Sequence, residues 1–141
     1  MKKITFLTIF FSLFLSASLF SQQTIYVSAT GAGQNDGTSE ANARGSFGDA
    51  MNDINSAGDK LIIIGTVSTG GANLTSKSFA FTIEGLDASS TLTGNGGTGR
   101  LFTINGATSA DVTFKDLTIS GNNTTLAGGA VLFSNNSTSF V

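Results

Sequence analysis

The sequence predicts an all-β chain wound as a parallel β-helix, with one amphipathic helix near its start as a cap. Three observations carry that expectation. Residues 78–108 slide onto residues 109–139 by 31 positions without a gap, so that Thr82 meets Thr113, Leu86 meets Leu117 and Leu101-Phe102 meet Leu132-Phe133. Every apolar run after Val67 is short and bounded by Gly, Asn, Ser or Thr, the residues of turns. Past the first 21 residues, only Ser46–Ala57 shows helical spacing.

The chain opens with Lys2 and Lys3, then an uncharged apolar run of 17 residues, Ile4–Phe20, with small residues at Ser16, Ala17, Ser18 and Ser21. This is the layout of a secretory signal peptide, residues 1–21, with cleavage expected after Ser18 or Ser21 where Gln22 and Gln23 begin a polar stretch. The alternative is an uncleaved anchor, since about 17–25 apolar residues span a bilayer. Cleavage at Ser21 leaves 120 residues with five basic and nine acidic side chains, 18 Gly, and 35% Ser, Thr and Asn together. Five dispersed cations exclude a nucleic-acid footprint. With no Cys there is no disulfide framework, and with no His the commonest general base and metal ligand are missing. No later stretch could span a membrane as a helix.

The elements follow in order. Thr24–Ser28 (TIYVS) alternates and reads as a strand. Ala29–Ala43 is a small-residue loop with the turn signal Asn35-Asp36-Gly37. In Ser46–Ala57, Phe47, Ala50, Met51, Ile54 and Ala57 share one stripe; Ser46 suits the N-cap and Gly58 the stop. Residues 22–58 thus form an N-terminal strand, loop and helix. Leu61–Val67 begins the repetitive part, residues 59–141, as a buried-type strand. FTIEGL (81–86) with VTFKDL (112–117), and LFTIN (101–105) with LFSNN (132–136), are the repeated strands.

A unit of about 31 residues with two strands and no helix cannot bury its own apolar face, so it stacks on its copy. Stacking is expected to set Leu101 over Leu132 and Phe102 over Phe133 as ladders, and Asn105 over Asn136 at a turn, where amide side chains bond along the stack. An exposed end of such a stack presents unpaired strand edges. The helix, through Phe47, Met51 and Ile54, is expected to cover that end; the alternative is a helix lying on the side of a sheet.

Taken in sequence, TIYVS, NDGTSEAN, SFGDAMNDI, GDKLIIIGT, FTIEG and VTFKDLTISG resemble the start of secreted right-handed parallel β-helix proteins of the pectin-lyase-like group. Gly128-Gly129-Ala130-Val131 is similar to the GGA-aliphatic motif of polymorphic outer membrane protein repeats, and Phe102–Asn105 and Phe133–Asn136 fit that family's F-x-x-N motif. The resemblance covers roughly residues 24–141. It implies a right-handed β-helix and an adhesin-type surface protein. It also implies further coils, so the sequence is expected to be a fragment of a longer protein.

The chemistry is sparse. A lyase of that group would need clustered carboxylates for Ca²⁺ and a base, and a hydrolase two or three carboxylates across a groove. Glu84, Asp87, Asp111 and Asp116 are dispersed, and the 31-residue slide sets Glu84 against Lys115 and Gly85 against Asp116, so no acidic ladder forms. Asn35, Asp36, Thr38 and Glu40 offer oxygen ligands for Ca²⁺, but a local Asx turn explains the same residues. No catalytic residue and no other cofactor is expected.

The reading is therefore an exported scaffold, secreted or on the outer surface of a Gram-negative-type bacterium, that contacts glycans or a host or cell surface. Self-association through an open last coil is a further expectation. The competing class is an extracellular polysaccharide lyase or glycoside hydrolase.

Overall fold

The computed structural model describes residues 21–73, 77–94, 101–105, 111–120 and 131–134, with the backbone alone at 73, 103–105 and 131–134. The expected signal peptide, Asn136, and Gly128 to Ala130 lie outside the described residues. Among those described, the chain is predominantly β, with one α-helix. The strands are β1 (Thr24–Ser28), β2 (Lys60–Ile64), β3 (Thr66–Ser68), β4 (Ala72–Asn73), β5 (Phe81–Gly85), β6 (Thr91–Thr93), β7 (Phe102–Asn105), β8 (Val112–Lys115), β9 (Thr118–Ser120) and β10 (Val131–Ser134). The helix, α1, spans Phe47–Asp53, and a single 3₁₀ turn spans Glu40–Asn42.

The strands form three open sheets, ordered β1-β2-β5-β8, β3-β6-β9 and β4-β7-β10, and none closes into a barrel. All pairs are parallel. From β2 onward each sheet takes every third strand. Parallel neighbours cannot be joined by a hairpin. Between β2 and β5 the chain contributes β3 and β4 to the other two sheets.

Alternation decides what is buried. In β1 the inward side chains are Ile25 and Val27, and the pairing sets Ile25 beside Leu61 and Leu61 beside Ile83. Val67 lies beside Leu92 in the second sheet. These residues form one core with Phe81, Leu101 and Phe102. The Phe102 ring lies 5.7 Å from that of Phe47 and 5.4 Å from that of Phe114, tying the helix to two sheets.

The 31-residue slide holds in the first sheet, where Thr82 pairs with Thr113 and Glu84 with Lys115. It fails in the third. Phe102 pairs with Val131, Thr103 with Leu132, Ile104 with Phe133 and Asn105 with Ser134. The expected ladders of Leu101 on Leu132 and Phe102 on Phe133 are thus displaced by two residues, and Asn105 lies opposite Ser134. The cause lies at the corners. Leu86–Ser90 separate β5 from β6, whereas Asp116 and Leu117 alone separate β8 from β9. Thr93 accordingly pairs with Ser120, four residues short of Thr124, and the connection from β9 to β10 is two residues longer than that from β6 to β7, which leaves a net slip of two in the third sheet. A slip of two keeps the side-chain face, so a sequence match two residues out of register still aligns apolar with apolar.

Helix α1 begins where Ser46 predicts: the Ser46 Oγ accepts the Asp49 N–H at 3.3 Å. It stops at Asp53, short of Ala57. Ile54 leaves the helix with ψ 108°, and the N–H groups of Asn55 and Ser56 turn to the Asp59 carboxylate at 2.9 Å each. Phe47, Ala50, Met51 and Ile54 are all buried. The helix packs on β1, and a Lys77 amine donates to the Ile54 carbonyl at its C-terminal end.

Candidate functional site

The outward face of the first sheet and its corner form the most feature-rich surface. A cleft of about 600 Å³ is lined by Glu84–Ala88 and Asp116–Thr118. It lies where the five-residue corner Leu86–Ser90 meets the two-residue corner Asp116–Leu117. Leu86 is 41% exposed at its rim. A smaller hollow of about 320 Å³ continues over Thr24, Tyr26, Lys60 and Ile62 and shares Glu84, Gly85 and Leu86.

The pairing lines up Tyr26, Ile62, Glu84 and Lys115 across the four strands. Glu84 sits between two ammonium groups: Lys60 Nζ lies 3.1 Å from Oε2, and Lys115 Nζ bonds Oε1. The Lys115 and Lys60 bonds hold the Glu84 carboxyl below its ordinary range. Lys115 also reaches Asp116 at 3.3 Å. This is a charge-compensated set, as the slide of Glu84 onto Lys115 implies. Exposed pairs of this kind stabilise little.

The corner itself is built from local bonds. The Asp87 Oδ1 accepts from the Ser89 hydroxyl at 2.6 Å and the Ser89 N–H at 2.8 Å, which lower its carboxyl. Ser90 is fully buried; its hydroxyl donates to the Ile63 carbonyl at 2.8 Å and accepts the Asp87 N–H at 3.2 Å. Gly85 is required here. A Cβ on it would lie 2.1 Å from the Asp116 carbonyl oxygen and 2.8 Å from the Ser90 Cβ.

Asn35, Asp36, Thr38 and Glu40 remain close in the loop, but each is engaged differently. The Asp36 Oδ1 accepts both the Thr38 N–H, at 2.9 Å, and the Thr38 hydroxyl, at 2.7 Å; that hydroxyl and the Thr38 amide lower its carboxyl. The Asn35 Oδ1 accepts the Gly45 N–H at 2.6 Å, with Asn35 in the left-handed region at φ 56°. Glu40 opens the 3₁₀ turn. This is an Asx-type turn. Among the described residues, no three acidic side chains gather as metal ligands.

Sequence reading missed two arrangements. One is the meeting of Glu84, Asp87 and Asp116 at a single cleft, which depends on corner lengths that the uniform slide conceals. The other is Asp59, a fully buried carboxylate on which four hydrogen bonds converge. Its only sequence signal is a charged residue between a helix stop and an apolar strand.

The chain matches no family model, no curated protein and no solved structure. Among the described residues no helix is long and apolar enough to cross a membrane.

Proposed function

We propose that the protein is an exported right-handed parallel β-helix, resembling pectin-lyase-like and adhesin-type surface proteins, that serves as a rigid scaffold for contact with glycans or a cell surface. The observation that supports this most is the rotation of strands through three parallel sheets, with unequal corners projecting from a regular core. Right-handedness follows from the twist of strands, which makes about 98% of parallel crossovers right-handed. The apolar residues of the helix, with the loop before it, close the first end of the stack. The Ile4–Phe20 segment after Lys2 and Lys3 supports export.

The corner cleft suits contact better than bond cleavage. Its carboxylates are tied up, Glu84 by two lysines and Asp87 by Ser89, whereas glycoside hydrolysis needs one carboxylic acid held protonated opposite a second carboxylate.

The test has two arms. The full sequence is expressed in a Gram-negative host, and cell fractions are probed for the protein and its mature N-terminus. The exported protein is then applied to a glycan array and incubated with acidic and neutral polysaccharides. Binding without new reducing or unsaturated ends is the expected result. Release of such ends would transfer the reading to the enzyme class, and retention in the cytoplasm would end it.

A further inference from the structure

The fold takes hold of the chain at Gln23. Its N–H and side-chain amide donate to Asp59, the same side-chain amide donates to the Asp53 carbonyl, and its own carbonyl accepts the Lys60 N–H. Strand β1 follows at Thr24. Gln22, one residue earlier, is exposed. Its side chain lies over the turn between α1 and β2: a Cβ built on Gly58 would stand 2.7 Å from the Gln22 Cδ and 3.0 Å from its Cγ. The Gln22 carboxamide therefore sits at the surface, against a residue with no side chain to crowd it.

This boundary bears on where the leader is cut. The apolar run ends at Phe20 and the small Ser21 follows, so a cut after Ser21 removes the whole run. It leaves a single residue ahead of the first one that the fold holds. A cut after Ser18 would leave Leu19 and Phe20, two large apolar side chains, on the mature end. The residue exposed by a cut after Ser21 is Gln22. A chain that begins with glutamine carries an amine and a carboxamide on one residue, spaced to close a lactam ring. A free α-amino group has a pKa of about 8, so near neutral pH a sizeable share of it is uncharged and nucleophilic.

We propose that Gln22 is a modification site, a step that rests on export: cleavage after Ser21 places it first in the mature chain, where it closes to pyroglutamate. The Gln22 backbone nitrogen attacks its own Cδ and the new N–C bond closes the ring. The Cδ–Nε2 bond breaks, and Nε2 leaves as ammonia with a proton taken from the attacking amine. Atoms balance without an oxidant or reductant. The ring replaces a cationic end by a neutral lactam, which aminopeptidases do not accept as a free terminus. What it shields is Gln23. If Gln22 and Gln23 were trimmed away, Asp59 would lose the Gln23 donors and the Lys60 N–H its acceptor, unfastening β1 from the turn after α1.

The test is mass spectrometry on the full sequence exported from a Gram-negative host, before and after incubation with a glutaminyl cyclase. Trypsin should release Gln22–Arg44 as the N-terminal peptide, since no Lys or Arg lies between them. After the cyclase its mass should be that of the linear peptide less one ammonia. A synthetic, isotope-labelled Gln22–Arg44 peptide added at digestion reports any ring closure during handling. The cyclised protein should resist aminopeptidase. Gln22→Ala, which cannot close the ring, should lose its first residues to the same enzyme and then unfold at a lower denaturant midpoint. A Gln22 that stays linear with the cyclase, or a mature chain starting at Leu19, would overturn the proposal while leaving export intact. A chain that keeps its leader would overturn export and the proposal with it. Equal resistance of Gln22→Ala to aminopeptidase would overturn the shield.

Discussion

Gln23 holds Asp59 by both carboxylate oxygens: its backbone N–H donates to Oδ1 at 3.0 Å and its side-chain amide to Oδ2 at 3.2 Å. The Gln23 carbonyl in turn accepts the Lys60 N–H at 2.9 Å. The start of β1, the turn after α1 and the start of β2 thus meet at one buried carboxylate. Asp59→Ala should strip partners from the N–H groups of Gln23, Asn55 and Ser56, leaving them buried or half-solvated. The expected loss is on the order of 1–3 kcal/mol, as for unsatisfied donors, read from denaturant midpoints.

The same carboxylate sets a pH dependence. Burial raises the Asp59 carboxyl, but the bonds from Gln23, Asn55 and Ser56 outweigh it and hold the group below its ordinary value. The folded chain therefore binds this proton more weakly than the unfolded chain. Its stabilising contribution is complete above the unfolded pKa of about 3.9 and is lost as pH falls through the lower folded value. Denaturation midpoints should fall between about pH 5 and pH 2. The fall should be shallower in Asp59→Asn, leaving the part owed to Asp36, Glu84 and Asp87, whose carboxyls are also lowered.

Two glycines separate crowding from backbone strain. Gly85→Ala drives a methyl into the Asp116 carbonyl and should cost about 1–3 kcal/mol as overpacking does. Gly65, at the one-residue corner between β2 and β3, has φ +63° and nothing near its Cβ position. Gly65→Ala should cost about 1–2 kcal/mol, from the left-handed backbone alone. If Gly85→Ala were harmless, the close approach of corners at the cleft would be wrong.

Phe102 joins the helix to the β5–β8 layer through Phe47 and Phe114 and is fully buried. Phe102→Ala should cost about 3–5 kcal/mol. The loss should appear in hydrogen exchange at both Ala50 and Phe114, because one cavity opens toward both.

Much of this was readable from residues. The alternation in TIYVS marked β1 as a strand, the Ser46 cap fixed where α1 starts, and the match of FTIEGL to VTFKDL set the register of β5 on β8. What escaped reading has a common cause. A single offset assumes equal corners, so Leu101 and Phe102 were assigned partners two residues too far along. The end of α1 was misplaced because its apolar stripe runs on to Ala57, while the Asp59 carboxylate draws Asn55 and Ser56 out of the helix.

The unequal corners have one more consequence. Between β5 and β6 the chain carries Leu86–Ser90 where the neighbouring corner has two residues, yet the pairs on either side stay in place. A change of length there alters the sequence offset between the strands that follow, while the strands on either side remain paired. Segments could be gained or lost at 86–89 over evolutionary time, or grafted there by an engineer, and the molecule would present a new epitope on an unaltered frame.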